Sequence, residues 1–247
     1  MTHEDVPALH VGIIMDGNGR WAEARGMGRI AGHARGSRRV TDIVRACPDF
    51  GVTHLTLYAF STENWARPLA EVEGLMRIFG QYILNKMDGL RRNDVRVRFI
   101  GMRHRVPGRL RALMEALEVA TKGCGGLNLT IAIDYGGRDE VTRAVRAVAA
   151  GDLAPAAISE ETIAGALDTA GMPDPDFIIR TSGELRVSNF LLWQGVYAEY
   201  DFPLVAWPDF TVEHFAAAVD GFKARQRRFG GVDVPERRMP WTGPRIA

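Results

Sequence analysis

The chain has 247 residues, of which 46% are apolar and 25% charged, and its formal net charge at pH 7 is +1. These values are typical of an ordinary globular protein of one large or two small domains, and the balanced charge gives no general reason to expect a nucleic acid or an acidic surface as partner. Three of the 31 basic residues are lysine and the others arginine. Arginine suits bidentate phosphate binding, but a GC-rich genome produces the same bias, so composition leaves both explanations open.

The cysteines and the N-terminus indicate the compartment. Cys47 and Cys124 have neither a metal-binding nor a redox spacing, and two cysteines do not make a disulfide scaffold. The first residues include acidic side chains and no apolar signal-peptide core, and no apolar run approaches the ~20 residues needed to span a bilayer. We therefore expect a cytoplasmic protein that at most touches a membrane surface.

Short apolar segments alternate along the chain with segments of helical periodicity. Strands are predicted at residues 10–15, 53–59, 95–101, 127–133, 176–180 and 204–207. Helices are predicted at residues 34–47, 69–92, 108–121, 139–150, 160–169 and 211–226. This alternation predicts an α/β fold with a mostly parallel central sheet of about six strands, flanked by helices on both faces. No repeat or linker interrupts it, so we expect one domain over residues 1–247, with a core at about 10–231 and an extended tail at 232–247.

The first predicted strand ends in a motif that suits phosphate. The apolar run of residues 11–15 stops at Asp16, and the glycine-containing loop 17–19 and Arg20 follow it. In open α/β sheets ligands bind at the carboxyl ends of strands, and glycines allow backbone N–H groups to approach a phosphate closely. The alternative is a simple turn in which Asp16 and Asn18 cap the next helix.

Two later segments place similar residues after predicted strands. Residues 61–68 combine polar side chains with Trp65 and Arg67, which a helix cap at Ser61 or Asn64 does not explain. Residues 180–194 place two arginines and two hydroxyl groups around a glycine, which again suits a phosphate.

In these motifs the chain resembles the cis-prenyltransferases, and among them the bacterial undecaprenyl diphosphate synthases. The matching stretches occur in the order typical of the family, and they are residues 10–21, 29–33, 57–68, 134–138, 180–194, 197–199, 207–210 and 227–231. The aspartate-rich Asp-Asp-x-x-Asp motif of trans-prenyltransferases is absent from the sequence.

The resemblance implies an enzyme that adds isopentenyl diphosphate repeatedly, in Z configuration, to farnesyl diphosphate or a similar allylic primer, with undecaprenyl diphosphate as product. It also implies a Mg²⁺ requirement, a homodimer, and transient contact with the inner membrane surface for product release. The residues fit this chemistry, because cleavage of the allylic C–O bond leaves a diphosphate anion whose charge must be stabilised. Mg²⁺ binds through one or two carboxylates plus phosphate oxygens, and Asp16 offers such a carboxylate.

The resemblance also implies the site residues. Asp16 and Asn64 are the expected catalytic residues, and Asp16 and Glu199 the expected metal ligands, with Glu199 directed toward the partner subunit's site. Because a neutral amide is a poor base, we expect Asn64 to position a diphosphate oxygen or a water that takes the proton. The expected substrate-binding residues are Gly17, Asn18, Gly19, Arg20, Trp21, Arg29, His33, Ser61, Thr62, Glu63, Trp65, Arg67, Arg180, Arg186, Val187 and Ser188. For His33 a core position, and for Glu199 an ordinary surface position, are the simpler alternatives.

The resemblance further implies an apolar tunnel between the sheet and the long helix. Its expected wall residues are Leu75, Phe79, Ile83, Ile131 and Ile133, with Ile133 a candidate for its floor; the alternative is that they are simply core. Two positions depart from the pattern of many bacterial members, Leu185 where they have histidine and Asp134 where they often have asparagine.

Two alternative functions are a nucleic-acid-binding module and a non-catalytic accessory subunit. A nucleic-acid-binding module would use the arginine-rich segment 91–111 with Arg225, Arg227 and Arg228. Few aromatic residues are interleaved there for base stacking, and alternating arginines on a strand can form one solvated face, so we expect no nucleic acid partner. A non-catalytic accessory subunit would lack the carboxylate of Asp16 and the diphosphate-binding arginines, which this chain keeps.

Overall fold

The computed structural model describes residues 9–151 and 153–225, and a parallel sheet runs through its centre. Its six strands are β1 (Leu9–Ile14), β2 (Val52–Ser61), β3 (Arg96–Ile100), β4 (Asn128–Tyr135), β5 (Phe177–Arg180) and β6 (Glu199–Asp201). They lie in the order β3-β4-β2-β1-β5-β6, and every neighbouring pair is parallel. Because all the strands run the same way, their carboxyl ends meet at one edge of the sheet.

Seven helices surround this sheet in the described part of the chain. They are α1 (Asn18–Glu23), α2 (Arg29–Ala46), α3 (Leu69–Arg92), α4 (Gly108–Thr121), α5 (Gly137–Ala149), α6 (Glu160–Ala164) and α7 (Val212–Lys223). Short 3-10 helices occur at Cys47–Phe50, Thr62–Ala66, Pro155–Ala157 and Trp207–Asp209. Alternate strand residues face opposite sides of the sheet, as Ile13 and Ile14 do in β1, and the larger apolar core lies on the side of α2, α3, α4 and α7.

The predicted α/β class and mostly parallel six-strand sheet are confirmed, but one strand was misplaced. The last strand is Glu199–Asp201, and the predicted strand at 204–207 is wrong. Residues 204–207 do not pair with a neighbouring strand. The carbonyl oxygen of Val205 accepts one hydrogen bond from the Ser182 N–H, and the chain then enters the 3-10 helix at Trp207. β6 escaped prediction because two of its three residues are acidic.

Helix boundaries also differ from the predictions. Helix α6 ends at Ala164, five residues before the predicted end, because the N–H of Asp168 donates to the buried carboxylate of Glu140 (3.0 Å) instead of continuing the helix. Residues 18–23, where no helix was predicted, form α1, and α2 begins at Arg29 rather than residue 34. The predicted tail at 232–247 and the segment Arg227 to Gly231 lie outside the described residues.

Two glycines let α1 approach α2 closely. A Cβ on Gly32 would lie 1.9 Å from the backbone oxygen of Asn18, and one on Gly36 would lie 2.2 Å from its side-chain oxygen. Gly32 therefore tolerates no side chain unless α1 moves, whereas at Gly36 the side chains of Asn18 and Trp207 would have to shift.

We predict that Gly32→Ala lowers the free energy of unfolding by ~2 kcal/mol or more, because the backbone contact has no flexible atom that can yield. Gly89→Ala in α3 is the matched control, since a Cβ there meets no atom within 4 Å. That change should stabilise the protein by roughly 0.5–1 kcal/mol through helix propensity. Urea unfolding measures both values, and equal effects of the two substitutions would contradict the packing argument.

Candidate functional site

The site begins where β1 and β5 end side by side. Ile14 pairs in register with Arg180, so the Asp16 carboxylate lies next to the Arg180 guanidinium. Asp16 Oδ2 accepts a hydrogen bond from Arg180 Nη2 (2.8 Å), and Oδ1 accepts one from the Gly17 N–H (2.7 Å). Burial opposes ionisation, but these two hydrogen bonds outweigh it and hold the pKa of Asp16 below its usual range. Asp16 is therefore a carboxylate at neutral pH, and its side chain is still 31% exposed.

Arg180 organises the loop that follows β5. Its side chain is only 5% exposed, and Nη1 donates to Ser188 Oγ (2.6 Å) and to the carbonyl oxygen of Arg186. Its Nε is buried and has no hydrogen-bond partner among the described residues. A buried guanidinium with an unused donor at a strand end is suited to an anionic ligand.

The loop after Asp16 is compact because of its glycines. Gly17 has φ of 97°, a left-handed conformation, and a Cβ there would lie 2.8 Å from Ser182 Oγ. Asn18 Nδ2 donates to the Met15 carbonyl (3.0 Å), while its buried Oδ1 has no partner within the described residues. No side chain caps α1 by a hydrogen bond. The simple capping alternative for Asp16 and Asn18 is therefore wrong.

A second charged cluster forms between α2 and the start of α3. Glu71, 9% exposed, accepts hydrogen bonds from Arg29 Nε (3.0 Å) and Arg67 Nη1 (3.1 Å). Burial raises the pKa of Glu71, but the hydrogen bond from Arg29 and the nearby positive charges lower it more, so the group stays ionised. Sequence reasoning missed Glu71; the available signal was its spacing of four residues from Arg67, which lies just before the start of α3.

His33 faces this cluster as a neutral imidazole. Its Nε2 lies 3.8 Å from Glu71 Oε1, too far for a hydrogen bond, and is otherwise buried without a partner among the described residues. Burial, reinforced by the charge of Arg67, lowers the pKa of His33 to about 4. The ring is therefore neutral at physiological pH and can donate or accept one hydrogen bond toward a ligand.

The turn after β2 has its own internal bonds. The side chain of Asn64 accepts through Oδ1 a hydrogen bond from the Ser61 N–H (3.2 Å), which leaves its NH₂ group as the free donor. Glu63 accepts from Asn189 Nδ2 (2.9 Å), which links the turn to the loop after β5. Trp65 Nε1 donates to Asp134 Oδ1 (2.8 Å).

These elements open into a cavity of about 510 Å³. One end is polar and is lined by Asp16, Asn18, His33, Ser61, Glu63, Asn64, Arg67, Arg180 and Ser188. The remainder is lined mainly by apolar side chains, which include all five expected wall residues, Leu75, Phe79, Ile83, Ile131 and Ile133. A charged mouth and an apolar interior are thus joined in one space, which suits an amphiphilic ligand with an anionic head.

Several predicted residues do not line this cavity. Trp21 Nε1 donates to Asp209 (2.7 Å), and Arg186 is largely exposed and pairs with Glu184. The other predicted residues outside the lining are Gly17, Gly19, Arg20, Arg29, Thr62, Trp65, Val187 and Glu199. Of these, Arg20 lies 3.6 Å from Asp16 and 3.0 Å from Glu184, at the rim of the mouth.

The two expected metal ligands are apart within one chain. Glu199 pairs with Phe177 at the amino end of β5, whereas Asp16 lies beyond the carboxyl end, and Glu199 accepts from Arg225 (3.0 Å). Among residues 9–151 and 153–225, no three His, Cys, Asp or Glu side chains cluster as a metal site. An ionised, partly exposed carboxylate beside arginine donors still fits Mg²⁺, because this ion usually takes one or two carboxylates together with substrate phosphates. The assignment of Glu199 toward a partner subunit stays a prediction.

The arginine-rich segment is spread over separate contacts. Arg96 and Arg98 lie on the exposed face of the edge strand β3, and Arg98 donates to the Ala170 carbonyl (3.1 Å). Arg103 pairs with Glu118 (2.7 Å) and Arg105 with Asp134. Arg227 and Arg228 lie outside the described residues.

Among the helices of residues 9–151 and 153–225, none combines the length and the apolar character that a membrane span requires.

Comparisons with known proteins agree along almost the whole chain. A family model described as putative undecaprenyl diphosphate synthase matches residues 14–230. The isoprenyl transferase of Brucella abortus is 52% identical over 228 residues, which cover 91% of this chain and 90% of the relative. The isoprenyl transferase of Aquifex aeolicus is 49% identical over 90% of this chain and 96% of the relative.

Solved structures show the same architecture. Lavandulyl diphosphate synthase from Lavandula x intermedia, in complex with dimethylallyl diphosphate, superposes with a TM-score of 0.87 at 34% identity and covers 90% of this chain and 97% of its own. A probable undecaprenyl diphosphate synthase from Campylobacter jejuni gives 0.77 at 31% identity and covers 91% and 99%.

We predict that His33 makes the protein less stable in mild acid. Between its unfolded pKa of about 6.5 and its folded pKa of about 4, the unfolded chain binds a proton that the folded chain does not, so the free energy of unfolding falls as the pH falls. His33→Gln should reduce the loss between pH 7 and pH 5 by up to about 2 kcal/mol. Urea unfolding at both pH values measures this, and equal losses in the two proteins would refute it.

Proposed function

The chain belongs to the cis-prenyltransferase family, as an isoprenyl transferase of the undecaprenyl diphosphate synthase type, and on that basis we propose that it condenses isopentenyl diphosphate repeatedly, in Z configuration, onto farnesyl diphosphate. The product is a long-chain polyprenyl diphosphate, undecaprenyl diphosphate if eleven isoprene units accumulate. The observation that carries this proposal is the single cavity that joins the Asp16–Arg180 mouth to an apolar interior. The allylic diphosphate named with the lavender relative supports an allylic primer.

In each proposed cycle the C1–O bond of the primer breaks and its electron pair leaves with the diphosphate. The double bond of isopentenyl diphosphate attacks C1 of the primer. The adduct then loses a proton to a diphosphate oxygen or a water near Asn64, and this generates the new double bond. The primer's diphosphate would lie at Asp16, the loop 17–19, Arg20, Arg29 and His33. Neutral His33 and the free NH₂ group of Asn64 are hydrogen-bond donors for diphosphate oxygens in this arrangement.

The isopentenyl diphosphate would be held by Arg180, Arg186 and Ser188. Arg180 already binds Ser188 and the backbone oxygen of Arg186, so the Arg180 and Ser188 side chains are presented together before any ligand arrives. This preorganisation avoids a reorganisation cost during the reaction. The Arg186 guanidinium pairs with Glu184 and would have to turn toward the ligand. Asp16 would hold Mg²⁺, which neutralises charge on the departing diphosphate when bound.

We also propose that the enzyme acts as a homodimer in which Glu199 serves the neighbouring site. The position of Glu199 at the far end of β5 from Asp16 supports a role outside its own chain's mouth. We propose that the protein is cytoplasmic and releases its product at the surface of the inner membrane, because transfer of a long polyprenyl chain into water is unfavourable.

The proposed function is tested by incubating the purified protein with farnesyl diphosphate, labelled isopentenyl diphosphate and Mg²⁺, with and without a chelator. We expect a chelator-sensitive ladder of Z-polyprenyl products that ends near eleven isoprene units. A shorter final product would keep the reaction and change the product. Absence of any incorporation would overturn the proposed substrates.

We predict that Asp16→Asn lowers kcat by roughly a hundredfold or more, because the neutral amide no longer supplies the charge at the strand end. Asp42→Asn is the matched control, since Asp42 is an acid on α2 that pairs with Arg39 away from the mouth. It should retain normal turnover. Circular dichroism checks that both variants fold, and near-normal activity of a folded Asp16→Asn protein would exclude the catalytic assignment.

We predict that Ile133→Phe shortens the longest product while the first condensations continue, because the larger ring would occupy the apolar part of the cavity that Ile133 lines. Val119→Phe on α4 adds the same group at a side chain that is 76% exposed and should leave product length unchanged. Chromatography of the labelled products measures chain length. An unaltered ladder from the folded Ile133→Phe protein would show that the growing chain does not pass this residue.

A further inference from the structure

The turn Thr62–Ala66 is held from outside by a residue pair that the reaction scheme does not use. Asp134 stands at the end of β4, and Arg105 lies in the connection between β3 and α4. Arg105 Nε donates to Asp134 Oδ2 (3.0 Å), and its Nη2 donates to Oδ1. Oδ1 also accepts from Trp65 Nε1 (2.8 Å), so one carboxylate joins all three elements.

The backbone of Asp134 also helps to fix its position. Its side chain is 0% exposed, its φ is 53°, and its carbonyl oxygen accepts from the Met102 N–H (3.0 Å). A left-handed aspartate is uncommon and is tolerated where local hydrogen bonds compensate for it. A fully buried carboxylate needs a charged partner, and Arg105 supplies one.

Trp65 connects the Arg105–Asp134 pair to the wall of the cavity. The guanidinium carbon of Arg105 lies 5.6 Å from the centre of the Trp65 ring, within the range of a cation–π contact. Trp65 also packs edge to face against Phe60, with ring centres 5.0 Å apart, and Phe60 lines the cavity. The ring therefore contacts both the ion pair and a residue of the cavity wall, and it is next to Asn64 in the chain.

We propose that Arg105 and Asp134 are positioning residues that fix Trp65 and thereby the Asn64 donor at the mouth of the cavity. This rests on the proposed function, because it takes the 61–67 turn as part of the diphosphate site. Asp134 is one of the positions where the sequence departs from the family pattern, and the structure gives that departure a role, because the Asp134 carboxylate pairs with Arg105.

The test compares Arg105→Ala with Arg103→Ala. Arg103 lies in the same connection and also pairs with a carboxylate, Glu118, but it does not touch the turn. Protein labelled with fluorotryptophan gives a fluorine resonance for each of the five tryptophans, and the Trp65→Phe variant identifies the one from Trp65. We expect Arg105→Ala to move or broaden the Trp65 resonance and Arg103→Ala to leave it unchanged. An unchanged Trp65 resonance in Arg105→Ala would overturn the proposal.

Kinetics supply the second readout. We expect Arg105→Ala to lower kcat/KM by roughly tenfold to a hundredfold. Asp134→Asn should cost less, because it keeps an acceptor for Trp65 and leaves no buried carboxylate without a charged partner. In the Trp65→Phe background Arg105→Ala should have little further effect, whereas independent, multiplying losses would contradict a role through Trp65. The resonance experiment needs no substrate. If the wild type incorporated no isopentenyl diphosphate, the proposed function would be refuted, but the resonance of Trp65 would still show whether Arg105 fixes that side chain.

Discussion

The structure depends on the pairing of Asp16 with Arg180 at the ends of two adjacent parallel strands. Parallel register places Ile14 beside Arg180, and the carboxylate two residues further then meets the guanidinium at 2.8 Å. Each charge lowers the cost of burying the other, and each retains capacity for a ligand, Asp16 through its exposed surface and Arg180 through its unused Nε. The pair therefore forms a charged centre in a largely buried sheet edge.

The second constraint is that this charged centre opens into apolar space. The walls come from one face of the sheet and from α2 and α3, which are the elements that also form the main core. A small anion would bind at the charged mouth and would not contact the apolar part of the cavity. It suits a diphosphate that carries a hydrocarbon chain, which is the ligand class of the isoprenyl transferases.

Sequence alone predicted much of this because the chemistry follows strand ends. Asp16, Asn64 and Arg180 each occur at the end of an apolar run or just beyond it, and the structure brings all three to the cavity. Glu71 was missed because it lies in a helix and its neighbours Arg29 and His33 come from α2, a distant segment of the chain. The role of Asp134 could not be predicted either, since its partner Arg105 looked like one of many arginines on a basic face. Strand β6 was missed because its residues are mostly polar and its pairing is set by β5.

The role proposed for Asp16 is to recruit Mg²⁺ together with the primer's diphosphate. The direct measurement is calorimetric titration of a thio-linked, unreactive farnesyl diphosphate analogue into the wild type and into Asp16→Asn, each with Mg²⁺ and with a chelator. We expect Mg²⁺ to tighten binding to the wild type by about tenfold or more, because a cation held by Asp16 would offset the negative charge of the diphosphate, and to have little effect on Asp16→Asn. An equal effect of Mg²⁺ on both proteins would contradict the claim.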